Sequence, residues 1–378
     1  MKIAQVAPLY ERVPPLCYGG TERVVSYLTE ELIRQGHEVT LFASGDSITR
    51  AALVSSCERS LRLKSECVDY LAYHILQLER VFQQAETFDV IHFHTDYLPF
   101  PFLRRRNIRH ITTLHGRLDI PDLVPLYREF QDMPVVSISD AQRVPLSWIN
   151  WIATVYHGLP LESYDFYPQA GSYLVFMGRI SPEKGVDRAI EIAQLAKMPL
   201  KIAAKVDSTD CQYFETTIRP RLDHPLVEFI GEIGEKEKGA LLGNAYALLF
   251  PINWSEPFGL VMIESLACGT PIIAYRNGSV PEIVSDGSNG FVVDSVEASV
   301  RALEKIPHLD RRYCRQVFED RFSATRMAHN YLTVYDRLHK AKPQRSHPRR
   351  RSSVVRQNSE EASADPALAA QGGSNESD

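Results

Sequence analysis

The sequence predicts an α/β protein built from two Rossmann-like, doubly wound parallel-sheet domains that face each other across a cleft. Three observations carry this reading. The 378 residues exceed the roughly 100–200 that one domain usually holds. Short apolar runs alternate with helical patterns from the N-terminus onward, as expected of buried parallel strands covered by helices on both faces. The alternation also restarts near residue 172, after a stretch rich in turn formers, so a second series repeats the first.

The first series opens with KIAQVAPL, a glycine-containing loop and then TERVVSYLTEELIRQG, where Val24, Val25, Leu28, Leu32 and Ile33 recur at helical spacing. HEVTLFASG, DVIHFHT, HITTLHG and PVVSISD follow as strands. The second series runs through SYLVFMGRI, PLKIAAKV, LVEFIGEI, YALLFPI and TPIIAYR. These elements assign residues 1–160 to an N-terminal domain and 172–322 to a C-terminal domain. Residues 161–171 form the linker, within a Gly-, Pro- and Tyr-containing stretch that begins at His157. A last helix is expected over 323–340.

Beyond it the composition changes. Residues 341–356 hold six Lys or Arg and no acid, whereas 357–378 hold five acids and no base. Without apolar periodicity this segment cannot bury enough surface to offset chain entropy, so 341–378 reads as a disordered, solubilising tail. PRRRSSVVR within it has the charge to meet an anionic surface.

A net charge of −5 gives no electrostatic reason to expect a nucleic-acid partner. The six cysteines include no C-x-x-C pair, which points away from a disulfide framework or a zinc site and toward reduced packing thiols. MKIAQVAPLY lacks the features of a signal peptide, and no run approaches the ~20 apolar residues that span a bilayer. The expectation is a cytoplasmic protein with, at most, a peripheral membrane contact.

Chemistry concentrates at strand ends. Gly19 and Gly20 lie between the first strand and first helix, where bare backbone can meet a phosphate at a helix N-terminus, although in isolation a plain tight turn is the preferred reading. In MGRISPEKGVDRAIEIA, Arg179 and Lys184 flank a strand-to-helix turn and can converge on a diphosphate; the alternative is a solvated cation pair. In EPFGLVMIESLACGTPIIA a helix is expected from about Phe258 to Cys268, with Ser255 and Pro257 as its start and Gly269 and Pro271 as its stop. Glu256 then sits in the loop at the positive helix end, and Glu264 lies two turns on, ~12 Å away by helical rise. An ionised Glu264 among Met262, Ile263 and Leu266 needs partners. Two carboxylates so separated suit a ligand with hydroxyls at both ends better than a glycosidase, whose pair stands ~5–9.5 Å apart.

These motifs resemble glycosyltransferase family 4. GGTE after the first strand, GRISPEKG and E-P-F-G-L-x-x-x-E-x-x-A-C-G-T-P-I-I-A occur in that family's order over about residues 1–340. The resemblance implies the GT-B architecture and transfer of a hexose, with retained configuration, from a UDP- or GDP-linked sugar to an acceptor hydroxyl. It implies that Glu256, with the backbone of Phe258, Gly259 and Leu260 beside it, contacts the sugar. By the same resemblance Glu264 holds the ribose, Arg179 and Lys184 bind the diphosphate, the Gly19–Gly20 loop closes over it, and His115 in TTLHG faces the sugar. The catalytic set implied is thus His115, Arg179, Lys184 and Glu256. The chain has no D-x-D, which fits departure of the leaving group without a metal; no cofactor is expected, the nucleotide sugar being a substrate. The resemblance further implies that the C-terminal domain 172–322 binds the nucleotide sugar and that the N-terminal domain 1–160 is the acceptor side, for a sugar, polysaccharide, lipid or small-metabolite acceptor.

His115 alone could equally be a packed histidine; its place at a strand end favours the cleft. His92 and His94 are expected on opposite strand faces, so that at most one reaches the cleft, with His94 and Asp96 as candidates. His157 stands where many relatives have Asn before a Gly, and Asn253–Trp254 replaces a simpler loop. Two rival functions share the architecture, a nucleotide-sugar epimerase and a non-catalytic nucleotide-sugar sensor. Donor incubated without acceptor separates the first, and binding without turnover identifies the second.

Overall fold

The computed structural model describes residues 1–16, 19–63 and 67–340, so the expected tail 341–378 lies outside the described residues. Among them are two parallel sheets. The first contains β1 (Lys2–Val6), β2 (Glu38–Ala43), β3 (Ala52–Ser55), β4 (Val90–Phe93), β5 (His110–Thr113), β6 (Val135–Ser137) and β7 (Trp151–Thr154), in the order β3-β2-β1-β4-β5-β6-β7. The second contains β8 (Tyr173–Arg179), β9 (Leu200–Lys205), β10 (Val227–Gly231), β11 (Ala245–Phe250), β12 (Ile272–Tyr275) and β13 (Gly290–Val293), in the order β10-β9-β8-β11-β12-β13. In each sheet the order reverses beside its first strand, between β1 and β4 and between β8 and β11. Crevices at the carboxyl ends of such reversals are where ligands bind in open α/β sheets.

Three strands escape the sequence reading: β3, β7 and β13. All are four-residue strands at sheet edges, paired on one side only. Their exposure is intermediate or higher at nearly every position, which yields neither a continuous apolar run nor clean alternation.

The first helix, Gly20–Arg34, forms as its apolar spacing predicts, burying Val24, Val25, Leu28 and Leu32, with Glu22 in its first turn and Arg34 in its last. The last helix, Ala324–Lys340, crosses back to the N-terminal sheet. Met327, Ala328, Tyr331, Val334 and Tyr335 pack with Ile3, Val90 and Ile111 and with Val24 and Leu28 of the first helix. One chain end thereby closes the core begun by the other. Polar contacts also join the two halves: Ser139 Oγ donates to the Pro257 carbonyl at 2.6 Å, and the amides of Asp140 and Ala141 donate to the Glu282 carboxylate at 2.8 Å each.

Cys57, Cys67, Cys211, Cys268 and Cys314 are free thiols. Among the described residues no helix is long and apolar enough to cross a membrane.

Candidate active site

The reversal between β8 and β11 gathers the charged residues of the two C-terminal motifs. Arg179 ends β8, and its guanidinium meets Glu183 at 2.5 Å, Asp210 at 3.4 Å and Asp207 at 3.9 Å. Lys184 lies in the following turn, before the helix Val186–Ala196, and its ammonium pairs with the Glu256 carboxylate. The two cations thus share one strand end but turn onto different acids.

Glu256 is buried in the loop after β11. Its carbonyl accepts from the Ser279 amide at 3.0 Å. Gly278, at φ +53°, passes so close beneath that an added Cβ would stand 2.3 Å from the Glu256 amide nitrogen and carbonyl oxygen, so only glycine fits. Beside this pair, the Trp254 indole lies under the Lys184 ammonium at 4.7 Å and under the Arg117 guanidinium at 5.7 Å, which comes from the loop after β5. Trp254 therefore touches cations of both halves, and its indole N–H is buried without a partner among the described residues.

The helix in EPFGLVMIESLACG spans Leu260–Ala267, two residues shorter at its start than expected. Gly259 takes φ +81°, so Phe258 and Gly259 belong to the preceding loop and neither Ser255 nor Pro257 caps the helix. Gly269 adopts φ +82° after the last turn, the left-handed stop that its position predicts. Leu260 faces Gly20 of the N-terminal half, its δ-carbon 3.6 Å from where a Gly20 Cβ would lie, so the start of the first helix approaches the start of the helix Leu260–Ala267.

Glu264 finds the partners that its burial demands. Arg23 of the first helix and Lys238 of the helix Glu235–Gly243 both reach its Oε1 at 3.3 Å. Glu235 joins them, 3.0 Å from Arg23, and accepts from the hydroxyls of Tyr164 at 2.7 Å and Tyr27 at 3.3 Å. Burial works to raise the Glu264 pKa, but Lys238 and Arg23 outweigh it and hold the carboxyl below its usual range. The result is a charge-balanced cluster drawn from both halves and the linker.

On the N-terminal side, His115 lies two residues past β5. Its Nε2 meets His94 Nδ1 at 2.9 Å, and its ring stacks on His157 with centroids 5.2 Å apart; His157 in turn meets Phe258 edge-on at 4.9 Å. Burial pushes His115 down to about 3, so it is neutral near pH 7, and its buried Nδ1 has no partner among the described residues. The expectation that His92 and His94 occupy opposite faces is wrong: their rings are 4.0 Å apart. Residues two apart in a strand share a face. His94 Nε2 meets Gln5 Oε1 at 2.8 Å, Gln5 Nε2 donates to Tyr335 Oη at 3.1 Å, and Tyr335 Oη meets His92 Nδ1 at 2.7 Å. The last helix thus anchors a hydrogen-bonded chain that ends at His115.

Sequence reasoning missed Arg23, Glu235 and Lys238. One signal existed: Arg23 and Tyr27 stand four apart on the stripe of the first helix next to its apolar face, where an unpaired guanidinium has no place.

Comparison with known proteins places the chain among glycosyltransferases. The family model described as Glycosyltransferase Family 4 matches residues 18–158, and that described as Glycosyl transferases group 1 matches 168–317. The GDP-mannose-dependent alpha-(1-6)-phosphatidylinositol dimannoside mannosyltransferase of Mycobacterium tuberculosis is 28% identical over 377 residues, covering 88% of this chain and 96% of that protein. The O-antigen chain mannosyltransferase C of Escherichia coli is 22% identical, covering 89% and 100%. The crystal structure of AviGT4, a glycosyltransferase involved in avilamycin A biosynthesis, superposes with a TM-score of 0.70 at 24% identity over 90% of this chain and 99% of that one.

Proposed function

The chain belongs to glycosyltransferase family 4 and is a hexosyltransferase of the GT-B fold, and from that premise we propose that it moves a hexose from a nucleotide-diphosphate sugar to an acceptor hydroxyl with retention of configuration and without a metal. Glu256 contacts the transferred sugar, with the backbone of Phe258, Gly259 and Leu260 beside it. Glu264 addresses the ribose, and Gly19 and Gly20 close over the diphosphate from the opposite half. The bond from sugar C1 to the diphosphate oxygen breaks as the bond to the acceptor oxygen forms on the same face. The acceptor proton passes to the departing diphosphate. Arg179 and Lys184 stabilise the charge that grows there, a preorganised electrostatic effect of the kind that usually dominates catalysis. His115, neutral, offers Nδ1 to the sugar.

The observation that carries this reading is the meeting of Lys184 and Glu256 in one ion pair at the reversal between β8 and β11. A donor that binds there brings both groups what they now give each other, anionic oxygens for the ammonium and hydroxyls for the carboxylate. Incubation of GDP-mannose or UDP-glucose with the wild-type chain, Lys184→Ala and Glu256→Ala tests it. Both variants should lose transfer while remaining folded by circular dichroism, EDTA should leave the wild-type rate unchanged, and NMR of the product should show an α-linkage. Wild-type rates in both variants would sink the proposal.

A further inference from the structure

The hydrogen-bonded run between the last helix and His115 has a direction, and Gln5 sets it. Gln5 lies in the middle of β1, fully buried, in register with His92 of β4. An amide among the apolar neighbours of a central strand costs free energy unless both of its ends are paired. Here Nε2 donates to Tyr335 Oη of the last helix at 3.1 Å, and Oε1 lies 2.8 Å from His94 Nε2. Tyr335, having accepted from Gln5, donates to His92 Nδ1 at 2.7 Å, and His92 Nε2 meets Thr113 Oγ1 at 2.7 Å. Thr113 Oγ1 lies in turn 2.9 Å from Tyr331 Oη. These six side chains belong to residues at most 2% exposed, so water does not replace or scramble the contacts.

An amide oxygen can only accept, so the proton in the Gln5–His94 contact belongs to His94 Nε2. Burial holds the His94 ring neutral, which leaves its Nδ1 without a proton. The contact at 2.9 Å between that nitrogen and His115 Nε2 therefore takes its proton from His115. His115 is neutral for the same reason, so its remaining nitrogen, Nδ1, carries a bare lone pair. Which ring nitrogen of a histidine is protonated is set by the bond that the other one makes, and here that choice passes through two rings. Nδ1 of His115 is itself buried and has no partner among the described residues, while the ring stacks on His157, which meets Phe258 of the loop that carries Glu256.

We propose that Gln5 is a positioning residue for His115: its amide, pinned by Tyr335 of the last helix, orders the protons of His94 and His115 so that His115 presents Nδ1 as an acceptor. The ligand group recognised there is then a hydroxyl that donates, and a carboxylate, carbonyl or phosphate oxygen is turned away. The part played in transfer rests on the donor reading given above, whereas the proton order is a property of the free protein.

Long-range proton–nitrogen NMR of the full chain labelled with nitrogen-15 histidine reads the proton order directly, because protonated and bare ring nitrogens differ widely in shift. The His115 signals are those absent from His115→Asn. Wild-type His115 should carry its proton on Nε2 alone near pH 7. Gln5→Met leaves His94 Nε2 facing a thioether, and Tyr335→Phe leaves the Gln5 amide free to turn its Nε2 toward His94. An unpaired N–H costs more than an unpaired lone pair in a buried place, so both variants should invert the order and put the His115 proton on Nδ1. Nucleotide release from GDP-mannose or UDP-glucose, with glycerol as acceptor, should then fall in kcat/KM by about tenfold, the scale of one misdirected hydrogen bond. A wild-type proton on Nδ1, or an unmoved tautomer in whichever variants fold by circular dichroism, overturns the proton order. An inverted tautomer with wild-type kcat/KM overturns the positioning role and leaves the donor site standing. If the wild-type chain neither binds nor cleaves either donor, the donor reading falls and takes the role in transfer with it, while the spectra still decide the proton order.

Discussion

Arg23 Nη1 lies 3.3 Å from Glu264 Oε1, an ion pair whose side chains are 8% and 2% exposed and whose partners belong to opposite halves of the chain. The carboxylate assigned to the ribose is therefore also a fastening between domains. On the proposed donor reading, ribose hydroxyls would compete with the interface for the same oxygen, which would couple nucleotide binding to the relative position of the domains through one side chain.

Removal of the guanidinium tests that coupling. Breaking a buried pair by deleting one partner costs about 3–5 kcal/mol, and because Lys238 remains on Glu264 the lower end is expected for Arg23→Met. Differential scanning calorimetry should show Tm lower by several degrees, and the double variant with Glu264→Gln should fall by less than the sum of the two single changes. An unchanged Tm, or strict additivity, would show that the contact carries no energy.

Gly278→Ala should act on Glu256 without touching it in sequence. The added methyl meets the Glu256 backbone at 2.3 Å, and the φ of +53° is strained for alanine, roughly 1–3 kcal/mol. The loop carrying Glu256 must shift. A displacement on the order of 1 Å at a reacting group can cost about 100-fold in rate, so steady-state transfer should drop far more than Tm. Activity within twofold of wild type would contradict the close-packed floor described here.

Trp254→Ala leaves the Lys184 ammonium without its aromatic surface. A cation over an indole in a partly enclosed site contributes about 1 kcal/mol, equivalent to roughly fivefold in binding. Donor Kd by titration calorimetry should weaken by about that factor, and Trp254→Phe should recover most of it. Equal Kd values for all three proteins would remove Trp254 from the donor site.

Acid should destabilise the protein through its buried histidines. His92, His94 and His157 are depressed well below the usual histidine value by burial first and histidine neighbours next, and His115 is pushed down to about 3 by burial. A depressed folded pKa means that the unfolded chain binds the proton first as pH falls. The stability each neutral ring contributes is complete above about 6.5 and is lost as pH drops from there toward 3, at about 1.4 kcal/mol per pH unit and histidine. Asn in place of His157 should flatten the fall of Tm between pH 6.5 and 4 by one proton's share. An identical slope in His157→Asn would show that this ring does not titrate on unfolding.

Much of the architecture is legible in local spacing. Val24, Val25, Leu28 and Leu32 announce the first helix, and Arg179, Lys184 and Glu256 fall at strand ends because turn-forming residues follow apolar runs there. The start of the Leu260–Ala267 helix is misread because Ser255 and Pro257 look like a helix start, whereas the glycine that follows them takes a left-handed conformation that no helix includes. The edge strands β3, β7 and β13 are misread because one-sided pairing weakens the apolar pattern.

What the sequence by itself determined is the set of elements and the identity of the charged residues at their ends, since helix and strand periodicities and turn chemistry act over a few residues. Only the tertiary structure decided who meets whom. Glu264 takes Arg23 from 241 residues away, and Tyr335 reaches His92 across 243. Such pairings depend on how two sheets dock and where the last helix returns, and a buried carboxylate or imidazole accepts whichever partner that docking delivers. A local pattern can state that Glu264 needs a cation, but the direction from which the cation arrives is a property of the assembled fold.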